Sequence, residues 1–228
     1  MVKQSICKPV PINQEVVWDK TKTIVSTTDK FGTIIDVNQT FLDVCGYSIE
    51  EVLGQPHNII RHPDSPQILF KILWENILAG RNFHVILKNI SKSGKYYWVI
   101  TDFEVNRNTE GEIVSFTARR RSVAENVINE HIVPLYETLL KLEKIGGTDL
   151  SNRYFKGFLD KQGKSYVEYI MDIVGEDTTA NVTQIIDDNR KPEDEIIPLK
   201  EISDDIFNEE KSEDTRRKNF FTRLFSIN

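Results

Sequence analysis

The segment that decides the fold is His57-Asn58-Ile59-Ile60-Arg61-His62-Pro63-Asp64-Ser65-Pro66. Prolines fix the backbone φ angle and remove N–H donors, so this segment is predicted to be a pre-shaped, non-helical loop. Its Arg, His and Asp side chains, set beside apolar helices, are the kind of placed polar groups that bind a flat heteroaromatic ligand. The same cluster is also typical of a loop capped by its own salt bridges, and spacing alone does not separate these interpretations.

Upstream of this segment, the pattern predicts two strands followed by two short helices. Thr23–Thr28 is β-branched almost throughout, and Thr33–Val37 is the returning strand. Asn38 is predicted to be the N-cap of the first helix, which Gly46 ends. A capping-box pattern at Ser48-Ile-Glu-Glu51 begins the second helix.

Downstream, Pro66 is predicted to open a longer helix that ends at Gly80, with apolar residues at 3-4 spacing on one face. Three strands follow, over 83–91, 96–106 and 112–122, and the tight turns between them make neighbouring strands antiparallel. The fold class is therefore α+β, a five-stranded antiparallel sheet with helices on one face. We expect ligand space between those helices and the concave face of the sheet.

These motifs resemble a known family. Pro56–Pro66, Gly94-Lys-Tyr-Tyr-Trp98, Ser26-Thr-Thr-Asp29, Val37-Asn38 and Trp74 together are similar to the PAS domain of the bacterial aerotaxis-receptor type. The resemblance runs from about residue 25 to residue 121 and fades beyond 123. It implies the PAS fold, non-covalent binding of FAD, and a report of redox state to chemotaxis signalling.

The resemblance also implies the binding residues. By it, the cofactor-binding residues are Arg61, His62, Asp64, Asn38, Trp74, Phe83 and Asn89. Phe83 stands where the family usually has Trp, which keeps the stacking surface but loses the indole N–H donor. Taken singly, Asn38 is also explained as a helix cap, and Trp74 and Phe83 as core residues. Only their clustering around one cavity favours a ligand.

Composition limits the remaining possibilities. The 228 residues carry a net charge of -6, which argues against a nucleic-acid partner. We find no secretory signal and no apolar run long enough to span a bilayer, so the chain is predicted to be cytoplasmic. The predicted organisation is an N-terminal arm (1–22), a PAS sensor domain (23–122), a helical signalling extension (123–174) and an acidic, largely disordered tail (175–228) that ends in a basic-aromatic peptide.

The helical extension carries a heptad-like apolar seam over residues 123–145. Its members are Val127 or Ile128, Ile132, Leu135, Leu139, Leu142 and Ile145. Pro134 is predicted to kink or restart the helix, and Gly146-Gly147 to form a hinge before a helical hairpin over 149–174. The seam suits either packing on the chain's own domain or a homodimer.

Three functions remain open at this point. The first is an FAD-binding redox sensor that signals to a methyl-accepting chemotaxis transducer or another signalling protein, and through that partner associates with the membrane. The chain resembles the soluble half of bipartite energy-taxis receptors of the CetA/CetB type. The second is a haem sensor with His57, His62 or His84 as ligand, and the third is a ligand-free interaction module. An enzyme is not expected, because the chain has no nucleophile-elbow, P-loop or kinase motif.

Overall fold

A computed structural model describes residues 8–175 of the chain. The strands are β1 (Ile24–Asp29), β2 (Ile34–Val37), β3 (Phe83–Ile90), β4 (Tyr96–Arg107) and β5 (Ile113–Arg121). They form one antiparallel sheet in the spatial order β2-β1-β5-β4-β3. The predicted α+β class and its five antiparallel strands are therefore confirmed.

The helices between β2 and β3 pack on one face of this sheet. They are α1 (Gln39–Cys45), α2 (Ile49–Val52), a 3₁₀ turn (His57–Ile60) and α3 (Gln67–Leu78). The prediction that the whole 57–66 segment is irregular is wrong at its start, where the Arg61 N–H donates to the Asn58 carbonyl over 3.1 Å and closes the turn. Pro66 has an extended ψ of 139°, so α3 begins one residue later than predicted.

After β5 the chain forms α4 (Glu125–Val127), a π-helical turn (Ile128–Ile132), α5 (Val133–Gln162) and α6 (Tyr166–Gly175). The restart predicted at Pro134 is confirmed: α5 begins with this proline in its first turn, where a missing N–H is tolerated. The hinge is confirmed as a kink in α5, where Gly146 and Gly147 leave helical geometry. Gly147 has a φ of 66°, a left-handed value that favours glycine.

The seam packs on the chain's own domain. Ile132, Leu135 and Leu139 are buried, whereas Ile145, beyond them, is 79% exposed. The Tyr136 hydroxyl donates to the backbone carbonyl of Ile86 on β3. Strand β3 is at the edge of the sheet, so α5 covers backbone groups that would otherwise be open to pairing.

The N-terminal arm adds a short segment beside the start of β4. The Val16 N–H donates to the Tyr96 carbonyl over 2.8 Å, and the Tyr96 N–H donates to the Gln14 carbonyl over 2.9 Å. Trp18 is partly buried against the core beneath, whereas Val17 faces solvent.

Within residues 8–175, no helix has both the length and the apolar character needed to cross a membrane. The predicted acidic tail beyond residue 175, with its basic-aromatic peptide, lies outside the described residues.

Candidate functional site

A cavity lies between α3 and the inner face of the sheet, at the predicted place. Its empty volume of about 830 Å³ includes the space through which it opens to solvent. The apolar wall is formed by Ile60, Phe70, Leu73, Trp74, Ile77, Leu87, Phe103 and Phe116. The polar groups on the lining are Thr28, His57, Asn58, Arg61, Asn89 and Arg120. This combination suits a planar molecule with a polar edge.

Arg61 lines the cavity, as predicted. It lies just after the 3₁₀ turn, and its backbone pairs with Asn89 of β3 in an isolated antiparallel bridge. Its guanidinium carbon is 3.8 Å from the centroid of the Phe70 ring. Burial lowers the pKa of Arg61 to about 10, and the charge of Glu143 opposes this shift. Arg61 is therefore a cation at neutral pH, stacked on an aromatic wall.

His62 and Asp64 lie outside the cavity lining. His62 is buried, and its Nδ1 accepts the Asp64 N–H over 3.0 Å. The Asp64 carboxylate is half exposed and pairs with Lys88 over 2.8 Å. The two side chains therefore stabilise the loop that presents Arg61, and their contact with a ligand stays a prediction.

Asn38 also lies outside the lining, and its side chain is used by the backbone around it. Its Oδ1 accepts the N–H groups of Phe41 and Val25, over 2.9 and 3.0 Å, and its Nδ2 donates to the Thr23 carbonyl over 2.8 Å. Asn38 thus caps α1 and ties it to β1, which is the structural role that the sequence left open.

The two aromatic candidates lie apart from each other. Trp74 is in the cavity wall and packs edge-to-face on Phe116, with 5.8 Å between ring centroids. Phe83 is outside the lining and stacks on Tyr166 of α6, also at 5.8 Å. In the described structure Phe83 therefore anchors the C-terminal helices, and its contact with a cofactor stays a prediction.

Asn89 lies on the cavity lining as predicted, at the inner face of β3. The residue is 3% exposed, and its Nδ2 lies near the buried hydroxyl of Tyr97, its neighbour across the strands, without a hydrogen bond of full geometry to any described residue. A buried donor without an acceptor is costly, by roughly 1–3 kcal/mol. An acceptor atom of a bound molecule is one way to satisfy it.

Arg120 of β5 was missing from the predicted site. The residue is 1% exposed, yet it lines the cavity. Its guanidinium donates to Ser26 Oγ over 3.0 Å, to the Ala118 carbonyl over 3.3 Å and to His57 Nε2 over 2.7 Å. No Asp or Glu within residues 8–175 forms a salt bridge with it. Arg120 is thus a buried cation held by neutral acceptors.

The contact with Arg120 fixes the protonation of His57. Because Nε2 accepts from the guanidinium, the ring proton of His57 is on Nδ1. Burial, and then the charge of Arg120, holds the pKa of His57 well below its usual value. Burial also lowers the pKa of Arg120, to about 10, which leaves it charged at neutral pH. The polar end of the cavity therefore carries net positive charge.

Strand alternation could have identified Arg120 from the sequence. Phe116 and Ala118 precede it at steps of two, so all three side chains lie on the same face of β5. The run Arg119-Arg120-Arg121 hides this signal, because three consecutive arginines suggest a solvated strand end.

We expect the free energy of unfolding to fall as the pH drops from 6.5 towards 4, partly through His62. Burial, and then the charge of Lys88, lowers the pKa of His62 from 6.5 to about 4. Between these values the unfolded chain binds a proton that the folded chain does not, so the stabilisation is complete above pH 6.5 and is lost below it. Urea unfolding at pH 7, 6 and 5 measures the slope, and His62→Gln should flatten it. An unchanged slope in the variant would contradict this assignment.

Comparison with known proteins agrees with this geometry. Residues 34–119 match the family model described as PAS fold. The aerotaxis receptor of Escherichia coli K12 is 36% identical over 141 residues, which are 62% of this chain and 26% of the receptor. The biofilm dispersion protein BdlA of Pseudomonas aeruginosa is 27% identical over 104 residues, 45% of this chain and 25% of that protein. The chain thus spans about a quarter of the length of these two relatives.

Among solved structures, the light-state structure of the blue-light photoreceptor Aureochrome1 LOV is 25% identical. The match covers 53% of this chain and 90% of that chain, with a TM-score of 0.42. The PAS fold is supported by the family match over residues 34–119 and by the observed strand order. Residues 34–119 thus have the PAS fold, and this part of the chain is similar in sequence to the aerotaxis receptor.

Proposed function

We propose that the chain is a sensor that binds FAD without a covalent bond and reports its redox state to a signalling partner. The observation that carries the proposal is that Arg120 and Asn89 both lie on the lining of an apolar-walled cavity. Arg120 supplies a buried cation, and Asn89 supplies a buried N–H donor that makes no hydrogen bond of full geometry among the described residues. A flavin ring has a polar edge rich in acceptor atoms and a flat apolar body, so it suits both the lining and the walls.

Different residues of the lining would contact different parts of the ligand. Trp74 and Phe116 bound the apolar part of the cavity, and Asn89 donates to an acceptor on the polar edge. Arg61, at the loop, is placed for an electron-rich group or a phosphate, which a guanidinium binds in a fork. The bound flavin supplies the redox chemistry. Arg120 then favours whichever redox state carries more negative charge on the ring.

The remaining side chains support non-covalent flavin over the alternatives. Cys45 lies outside the cavity lining, and burial raises its pKa to about 11, so the thiol is protonated and poorly nucleophilic. His57 lies on the lining, but its Nε2 lone pair already accepts from Arg120, which disfavours it as an axial haem ligand. The first observation disfavours a covalent flavin adduct and the second disfavours haem at His57; we propose no enzymatic activity.

The partner follows from the relatives. The similarity to an aerotaxis receptor supports a chemotaxis transducer, or another signalling protein, as the recipient of the signal. We propose that the chain acts in the cytoplasm and reaches the membrane through that partner. The exposed Ile145 and the helix beyond it are the surface from which such a contact would start.

An absorbance spectrum of the purified protein tests the ligand. We expect the oxidised flavin bands, their bleaching by dithionite, and release of FAD on denaturation. Protein purified without colour should bind added FAD with one site per chain. A Soret band after addition of haemin, with no uptake of FAD, would favour the haem sensor. No uptake of either would leave a ligand-free interaction module.

A further inference from the structure

Glu143, on α5, stabilises the start of α3. Its two carboxylate oxygens accept the backbone N–H groups of Gln67 and Ile68, each over 2.9 Å. Pro66, the residue at the cap position, makes no side-chain capping bond, so the cap comes from a residue more than 70 positions away in sequence. A carboxylate at this end of a helix also interacts favourably with the helix dipole.

The helix that Glu143 caps is the cavity wall. Phe70 and Trp74, in the turns that follow, line the cavity, and Arg61 stacks on Phe70. The negative charge of Glu143 also opposes the lowering of the pKa of Arg61 by burial. Movement of the Glu143 carboxylate would therefore alter both the start of the helix that forms the cavity wall and the electrostatic environment of Arg61 on the lining.

Glu143 contacts the far side of the kink as well. The Ser151 hydroxyl donates to Glu143 Oε1 over 3.3 Å, and the chain between them turns at Gly146 and Gly147. A Cβ at Gly146 would lie 2.9 Å from the Leu150 side chain, so the turn is closely packed. One carboxylate, carried by the first part of α5, thus contacts both α3 and the part of α5 beyond the kink.

We propose that Glu143 is a positioning residue that couples the cavity to the C-terminal helices. A ligand that orders Arg61 and α3 then tightens the docking of α5, and release of α5 loosens the ligand site by the same factor, because coupling between two sites is reciprocal. The effect of a ligand in this inference rests on the proposed function. The coupling between Arg61 and Glu143 is independent of the proposed function, because it concerns contacts within the ligand-free chain.

Hydrogen–deuterium exchange of the full chain tests the coupling without ligand. In Glu143→Gln we expect amides 135–142 to exchange about tenfold faster than in the wild type. Glu137→Gln makes the same change of charge on the exposed face of the same helix, and should leave exchange unchanged.

Arg61→Met should also speed exchange of amides 135–142, and the double variant Arg61→Met/Glu143→Gln should exchange no faster than the faster of the two single variants. Additive effects, or equal exchange in Glu143→Gln and Glu137→Gln, would overturn the proposal.

A titration with FAD tests the ligand part. FAD should slow exchange of amides 135–142 in the wild type, and Glu143→Gln should bind FAD about tenfold more weakly. If the wild type takes up no FAD, the proposed function fails while the exchange data still decide the coupling. FAD bound equally well by wild type and variant would overturn the coupling alone. If Glu143→Gln does not fold, Glu143→Asp replaces it, since the shorter carboxylate keeps the charge but cannot span both amides.

Discussion

Arg120→Met is expected to weaken FAD binding about 10- to 100-fold while making the ligand-free protein more stable. The expected loss of binding free energy corresponds to one charge-assisted hydrogen bond, roughly 1.5–3 kcal/mol. The gain in stability arises because the guanidinium is buried without a carboxylate partner, and burial, which lowers its pKa to about 10, disfavours the charged form. Methionine has a similar length and no charge to desolvate.

The two halves of this prediction are measured separately. Fluorescence quenching of FAD gives the affinity, and urea unfolding without ligand gives the stability, for which we expect a gain of about 1–3 kcal/mol. The Ser26 hydroxyl lies 3.1 Å from His57 Nε2 and can donate to it once the guanidinium is gone, so the imidazole acceptor keeps a donor.

Arg119→Met is the matched control. Arg119 is the preceding residue of β5, but its side chain is half exposed and pairs with Glu104 on the opposite face. Exposed ion pairs contribute about 0–1 kcal/mol, so this variant should bind FAD normally and change stability little. Normal FAD binding in Arg120→Met would remove the cation from the proposed site. A large loss of stability would show that its hydrogen bonds outweigh its desolvation.

Leu139→Ala is expected to destabilise the protein by about 2–5 kcal/mol, whereas Ile145→Ala should change stability by less than about 0.5 kcal/mol. Both residues belong to the same heptad-like seam. Leu139 is fully buried in the core cluster beneath α5, and Ile145 is 79% exposed. Truncation of the buried side chain removes apolar contact and leaves a cavity, while truncation of the exposed one removes little.

This pair also tests the homodimer. Urea unfolding at two protein concentrations gives the stability, and sedimentation gives the oligomeric state. If the seam is an intramolecular contact, Leu139→Ala lowers the unfolding midpoint equally at both concentrations. If a second copy covers the end of the seam, Ile145→Ala lowers the midpoint and weakens self-association. That result would favour the dimer, which stays a prediction until then.

Local chemistry in the sequence was enough to predict most of the fold. Turns need particular residues, and Asp29 and Asn108 accept the backbone N–H groups of the turns predicted for them. Asn38 begins α1 because its side chain accepts the Phe41 N–H, and the Glu51 side chain at the start of α2 accepts the Ser48 N–H. Interactions of this kind join residues that are close together in the chain, so their residue patterns can be recognised from one sequence alone.

Only some of the residues predicted to bind a cofactor lie on the cavity lining. Arg61, Trp74 and Asn89 line the cavity, whereas His62, Asp64, Asn38 and Phe83 lie outside its lining. A motif says which residues accompany one another, but not which side of a loop each side chain faces. His62 turns inward to accept an N–H from its own loop, and Asp64 turns out towards Lys88.

By itself, then, the sequence determined the order of strands and helices, the loop that presents Arg61 and the PAS fold of residues 34–119. Only the tertiary structure decided that Arg120 is a buried cation beside His57, and that Glu143 caps a helix far from it in sequence. The reason is physical: these groups are brought together by strand pairing and helix docking. Their energies depend on burial and on partners 63 and 76 residues away, which no local pattern records.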